Sequence, residues 1–168
     1  MTFSIYDASI PVYRRRLEAL SAILTKADAY AAERKIDPAV LIGSRLYPDM
    51  LPFSAQVRIA CGHALRGAAR LQGIEPAAIE GEANTFADLQ AWIGKTLEIL
   101  GDIDAGTLAG SEDRMITFPT GGRTETLSGA DYLLHFSLPN FYFHITTAYA
   151  ILRHNGLDIG KGDFMGDK

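Results

Sequence analysis

From residue 10 onward the apolar positions fall in steps of three and four: Ile10, Tyr13, Leu17, Leu20, Leu24, Ala27 and Ala31 trace one stripe of a helix. Pro11 suits the first turn, where its missing N–H costs nothing, and Asp37-Pro38 breaks the pattern. A first helix is therefore predicted over about 9–34. Ala39–Ile42 reads as a short extra turn, and Gly43 to Pro48 as a connection. A second helix is predicted from Asp49 or Met50, with Pro52 in its first turn and Phe53, Val57, Ala60, Ala64 and Ala68 as its core stripe. Gln56, Ala60 and His63 lie on the adjacent stripe, since residues 56 and 63 are two turns apart. Gly62 and Gly67 each cost about 1 kcal/mol against alanine within a helix, so close packing is expected to require them. Gly73 supplies a stop.

Residues 74–84 are acidic and loop-like, and Thr85-Phe-Ala-Asp88 has the form of a capping box. It opens a third helix that buries Phe86, Leu89, Ile93, Leu97 and Leu100, with Trp92 beside them, and ends at Gly101. Ile116-Thr-Phe118 and Arg123-Thr-Glu-Thr-Leu127 flank Gly121-Gly122 and predict a small β-hairpin, which must lean on the helices because two strands alone are marginal. Ser128-Gly-Ala-Asp131 opens a fourth helix that reaches Asn155-Gly156, with Pro139 bending it on the way. The glycines at 156, 160, 162 and 166 predict a flexible tail over 157–168. The fold class is all-α: an antiparallel four-helix bundle, one domain over 1–156, with a small β-hairpin inserted between the third and fourth helices.

Composition narrows the partners. The chain has 168 residues and a net charge of −4, which argues against a nucleic-acid role, since phosphate binding needs a clustered basic surface. Its one dense basic run, Arg14-Arg15-Arg16, reads as a solvated face. The single cysteine, Cys61, excludes an intramolecular disulfide framework and a CxxC site, and reads as a small buried hydrophobe. No secretory signal opens the chain and no apolar run approaches the ~20 residues of a membrane span, so a soluble cytoplasmic protein with no membrane partner is expected.

The candidate chemistry lies in the segment from His135 to His144, which sets two histidines, Asn140 and Pro139 among aromatic residues. Buried polar groups need partners. Asn140 and His144 are four apart and share a helical face, whereas His135 is nine from His144 and faces away, paired with Asp131 one turn earlier. His144 and Asn140 on the fourth helix can converge with Gln56 or His63 on the second. As a metal set this is poor, because neutral amide oxygens are weak ligands for zinc, nickel or iron; as a hydrogen-bonded network it is reasonable.

With these segments in view, the chain resembles the DinB-like superfamily of four-helix bundles, and more closely a bacterial family within it known as a domain of unknown function. The resemblance rests on Ile5-Tyr-Asp-Ala-Ser-Ile-Pro-Val-Tyr13, Lys35-Ile-Asp-Pro-Ala-Val40, Arg45 through Phe53 with Gln56, Gly110-Ser-Glu-Asp113, and above all residues 135–156. It implies an up-down-down-up bundle, homodimeric as many such proteins are. Many of them hold a divalent metal on three histidines, and some are transferases that act with low-molecular-weight thiols. At those positions this chain has His144, Asn140 in place of one histidine and Gln56 in place of another. Two readings follow. In the first, no cofactor is expected, and the ancestral pocket of Gln56, His63, Asn140 and His144 persists as a polar network in a non-catalytic small-molecule-binding or stress-associated homodimer. In the second, a divalent metal such as zinc or nickel, held by His144 with Asn140 and Gln56 or completed by water or His63, serves a thiol transferase or hydrolase.

Overall fold

In the computed structural model, which describes residues 4–166, the first apolar stripe becomes helix α1 (Ile10–Arg34), and every member of that stripe is buried. Lys35 ends it in the left-handed region (φ 55°). A short helix α2 (Pro38–Gly43) follows, capped by the Asp37 carboxylate, which accepts the Ala39 N–H at 2.9 Å. Helix α3 (Phe53–Gln72) begins later than the expected Asp49 or Met50. A residue before proline is pushed out of the helical region, so Leu51 cannot carry a helical turn into Pro52, which caps α3 in an extended conformation. The Phe53 N–H donates to the Ser44 carbonyl at 2.8 Å instead. Gly73 stops α3 with φ 74°, and α4 (Phe86–Gly101) carries the Thr85–Asp88 capping box, both as read from the sequence.

Side-chain pairs fix the helix directions. Phe53 and Phe86, each the first residue of its helix, meet edge to face at 6.5 Å, so α3 and α4 run parallel. This departs from the antiparallel order that the pattern alone suggested. The link over residues 73–85, at up to about 3.3 Å per residue, can span the roughly 30 Å of the 20-residue α3 and bring the chain back to its starting end. Tyr13, early in α1, bonds Ser137 just ahead of the last long helix, and Tyr30, late in α1, reaches Asn155 just beyond it. That helix, α6 (Leu138–His154), therefore runs parallel to α1 and antiparallel to α3, which gives the up-down-down-up order.

The hairpin is β1 (Met115–Thr120) and β2 (Arg123–Ser128), turned by Gly121 and Gly122, both at positive φ, as a tight two-residue loop demands. Ile116 and Phe118 point inward, and Phe118 packs on Tyr132 and Phe136, so the hairpin closes against the bundle. A single turn α5 (Gly129–Asp131), capped by Ser128, leads into a π-helical stretch over Tyr132–Ser137 and then α6. The expected kink at Pro139 takes this form because proline has no N–H to give residue 135. The Leu138 N–H instead reaches five residues back to Leu133, the wider π register, and Pro139 falls in the first turn of a fresh α-helix.

The expected tail over 157–168 is corrected up to residue 166; its last two residues lie outside the described ones. Leu157 and Ile159 are buried, and α7 (Lys161–Met165) packs on α1. Glycine-rich composition hid two apolar anchors and a buried arginine. Arg16 is not on a solvated face: it is 5% exposed and donates to the Phe164 and Met165 carbonyls at 2.5 and 2.7 Å, placing its charge at the negative end of α7. Lys26 pairs with Asp163 beside it. Among the described residues no helix is long and apolar enough to cross a membrane.

Candidate functional site

Three positions of α3 and α6 that the sequence singled out meet where the two helices cross. Gln56 is 1% exposed, and its amide nitrogen donates to the Leu51 carbonyl at 3.0 Å. That bond fixes which way the amide points, so Oε1 is the atom 2.7 Å from His144 Nδ1 and it must accept. His144 is therefore the Nδ1–H tautomer, with the lone pair of Nε2 uncommitted to Gln56. His63, two turns along α3 from Gln56, stacks on the His144 ring at 5.6 Å with 17° between planes, and Phe136 closes one side at 6.3 Å from His63. The π-helical stretch aims Phe136 there.

Asn140 is drawn elsewhere. Its amide donates to the Phe136 carbonyl at 2.7 Å, one turn back, in the weakened stretch ahead of Pro139. His135 is exposed, 3.9 Å from Asp131, as the spacing predicted. Cys61 is buried, and burial pushes its thiol up to about 11, which leaves it inert. Tyr132 is buried to its hydroxyl, which accepts from the Arg70 guanidinium at 3.1 Å.

The arginines were not singled out in the sequence, though the signal was there: His63, Arg66 and Arg70 are spaced three and four apart and so share one face of α3. Arg70 lies over Phe118 and Tyr132, 5.1 and 5.5 Å from their centroids. Burial first, then Arg66, His144 and Arg70, push the His63 pKa down to about 3. Burial and then Arg66 hold His144 below its usual 6.5. Both imidazoles are thus neutral at pH 7, and the folded state resists their protonation. As pH falls below about 6.5 the unfolded chain takes up these protons first, so stability is full above that value and declines toward pH ~3. Melting curves between about pH 7.5 and 5 check this: the wild type should lose stability and His63→Gln should lose less, whereas parallel curves would contradict it.

The donor set suits a metal poorly. The Gln56 oxygen is already committed to an N–H and Asn140 to a carbonyl. Among the described residues, no three His, Cys, Asp or Glu side chains are grouped to hold an ion. Two cavities near these helices do not take in the histidines either. One of about 670 Å³, lined by Ile5, Tyr6, Leu108 and Leu133, includes none of Gln56, His63, Asn140 and His144. Another, of about 540 Å³, lies on the flank of α3 and takes in Arg66.

A family model described as "Domain of unknown function (DUF1993)" matches residues 5–165. Among solved structures, the chain is similar to the crystal structure of a DinB family member protein from Shewanella denitrificans. The two share 37% identity with a TM-score of 0.89, over 98% of this chain and 93% of that one. No curated protein matches the chain.

Proposed function

Because the chain belongs to the DUF1993 family and has the DinB-like fold, we propose that it is a non-catalytic, homodimeric small-molecule-binding protein. Its ligand would meet Gln56, His63 and His144, with Asn140 at the rim. The observation that supports this most is the Gln56–His144 hydrogen bond. It spends the amide oxygen inside the protein and leaves a neutral imidazole nitrogen as an acceptor, which suits a ligand that donates a hydrogen bond better than it suits a cation. Exposed Leu134, Tyr142 and Phe143, on and just before α6, support a self-association surface.

The competing reading, a zinc- or nickel-dependent transferase or hydrolase, shares the position of His144 and predicts a different titration. Tag-free protein and His144→Leu are titrated with Zn²⁺ or Ni²⁺ by calorimetry, and the same samples are sedimented to equilibrium. The proposal expects no saturable metal binding that depends on His144, and a mass of two chains. Tight binding abolished by His144→Leu would turn the assignment to the metalloenzyme, and a mass of one chain would remove the dimer.

A further inference from the structure

Arg58, Gly62, Arg66 and Arg70 recur at intervals of four and form one row along α3, which passes from Trp92 of α4 at Arg58 to Tyr132 and Phe118 at Arg70. The groove of about 540 Å³ beside this row is lined by Ile59, Leu65, Ile79 and Trp92, together with Arg58 and Arg66. Arg58 lies over the Trp92 ring, 5.2 Å from its centroid, and Arg70 is held by Tyr132 and Phe118. Arg66 differs from both. It is half-buried, and among the described residues no carboxylate, carbonyl or ring partners its guanidinium. Its terminal nitrogens lie against Gly62, where an added Cβ would come within 2.8 Å of one of them. The acidic residues of the neighbouring link do not neutralise it: the Glu82 carboxylate accepts from Asn84, and its carbonyl from the Trp92 indole.

A half-buried guanidinium without a counter-charge is incompletely solvated, and its fork of N–H donors at an apolar wall matches a carboxylate with an apolar body. We propose that this groove binds a small organic carboxylate, its charge on Arg66 with Arg58 at the mouth and its apolar part against Ile59, Leu65, Ile79 and Trp92. Burial first and Arg70 second lower the Arg66 pKa, and a bound anion would offset both. The groove adjoins the histidines through Arg66, but none of Gln56, His63, Asn140 and His144 lines it, so its occupancy is read separately from any binding at His144.

Trp92 is the only tryptophan of the chain, so its fluorescence reports on this groove. The intact protein is titrated with octanoate, and with octanol as an uncharged probe of the same length. The expected result is a saturable fluorescence change with octanoate, with an affinity for octanol about tenfold or more weaker, and an octanoate affinity about tenfold weaker in Arg66→Gln, the scale of one charge-assisted hydrogen-bonded contact. Arg66→Lys keeps the charge without the fork and should fall between the two. The circular dichroism of both variants is checked first; since Arg66 has no partner to lose, they should fold like the wild type. Equal affinity for octanol and octanoate, no saturable change, or an Arg66→Gln affinity equal to the wild type would each overturn the proposal.

Discussion

Gly67→Ala is expected to destabilise the protein by about 2–4 kcal/mol, whereas Gly62→Ala, five residues away on the same helix, should be neutral or stabilising by up to about 1 kcal/mol. A Cβ at Gly67 would sit 2.5 Å from both the Tyr13 hydroxyl and Ser137 Oγ. Those atoms share a hydrogen bond of 2.7 Å, and both residues are fully buried. Neither can move aside without breaking that bond or shifting α1 and α6 from α3. Overpacking of this kind costs about 1–3 kcal/mol and an unsatisfied buried hydroxyl about 1–3 more, less the ~1 kcal/mol that alanine returns as a better helix former. At Gly62 the obstacle is the tip of the Arg66 side chain, half-exposed and free to swing away, so only the helix gain remains. Thermal melts decide between them: at about 2–4 °C per kcal/mol, Gly67→Ala should lose at least about 4 °C. Equal melting temperatures for the two variants would show that α3 and α6 do not approach as closely as the Tyr13–Ser137 bridge implies.

The two glycines also mark how far the sequence could be read. Both stood out as residues that a helix tolerates only for a reason, yet the reason depends on what lies opposite, and that is a tertiary fact. The periodic stripes of α1, α3 and α4, the Thr85–Asp88 cap and the Gly121-Gly122 turn were legible because each is decided within a few residues of chain. The parallel course of α3 and α4 followed only from the family resemblance and not from the pattern, because a link such as residues 73–85 is long enough to allow either direction. Arg16 was misread for a related cause. A charge run is normally solvated, and what buries this one is a five-residue helix 145 positions later in the chain, counting from 16 to 161. In the site, the helical angle correctly separated His135 from His144 and brought His144 toward Gln56 and His63. It failed for Asn140, whose short side chain found a nearer acceptor in the Phe136 carbonyl that the π-helical turn presents. Arg66 and Arg70 share a face with His63, but arginines at helical spacing look the same in sequence whether that face is solvated or, as here, half-buried.

His144→Leu is expected to cost about 1–3 kcal/mol, and a second change, Gln56→Leu, should recover most of that loss. The asymmetry comes from burial. Gln56 is almost completely enclosed, so removing the imidazole strands its Oε1 without solvent, while the amide nitrogen remains bonded to Leu51. Gln56→Leu alone strands the Nδ1–H of His144, but that ring is only half-buried and can rehydrate, so this single change should cost less than His144→Leu. The Leu51 carbonyl, which also loses its donor, belongs to an exposed residue and can turn to water. When both polar partners are gone the crossing of α3 and α6 becomes apolar, and the remaining difference from wild type should be small. A double-mutant cycle from denaturant unfolding measures the coupling directly, and a value of about 1–3 kcal/mol is expected. An unchanged or raised melting temperature in His144→Leu, or strictly additive losses in the double variant, would mean that the two side chains do not satisfy each other. The tautomer assignment, and with it the free Nε2 acceptor on which the ligand site depends, would then fall.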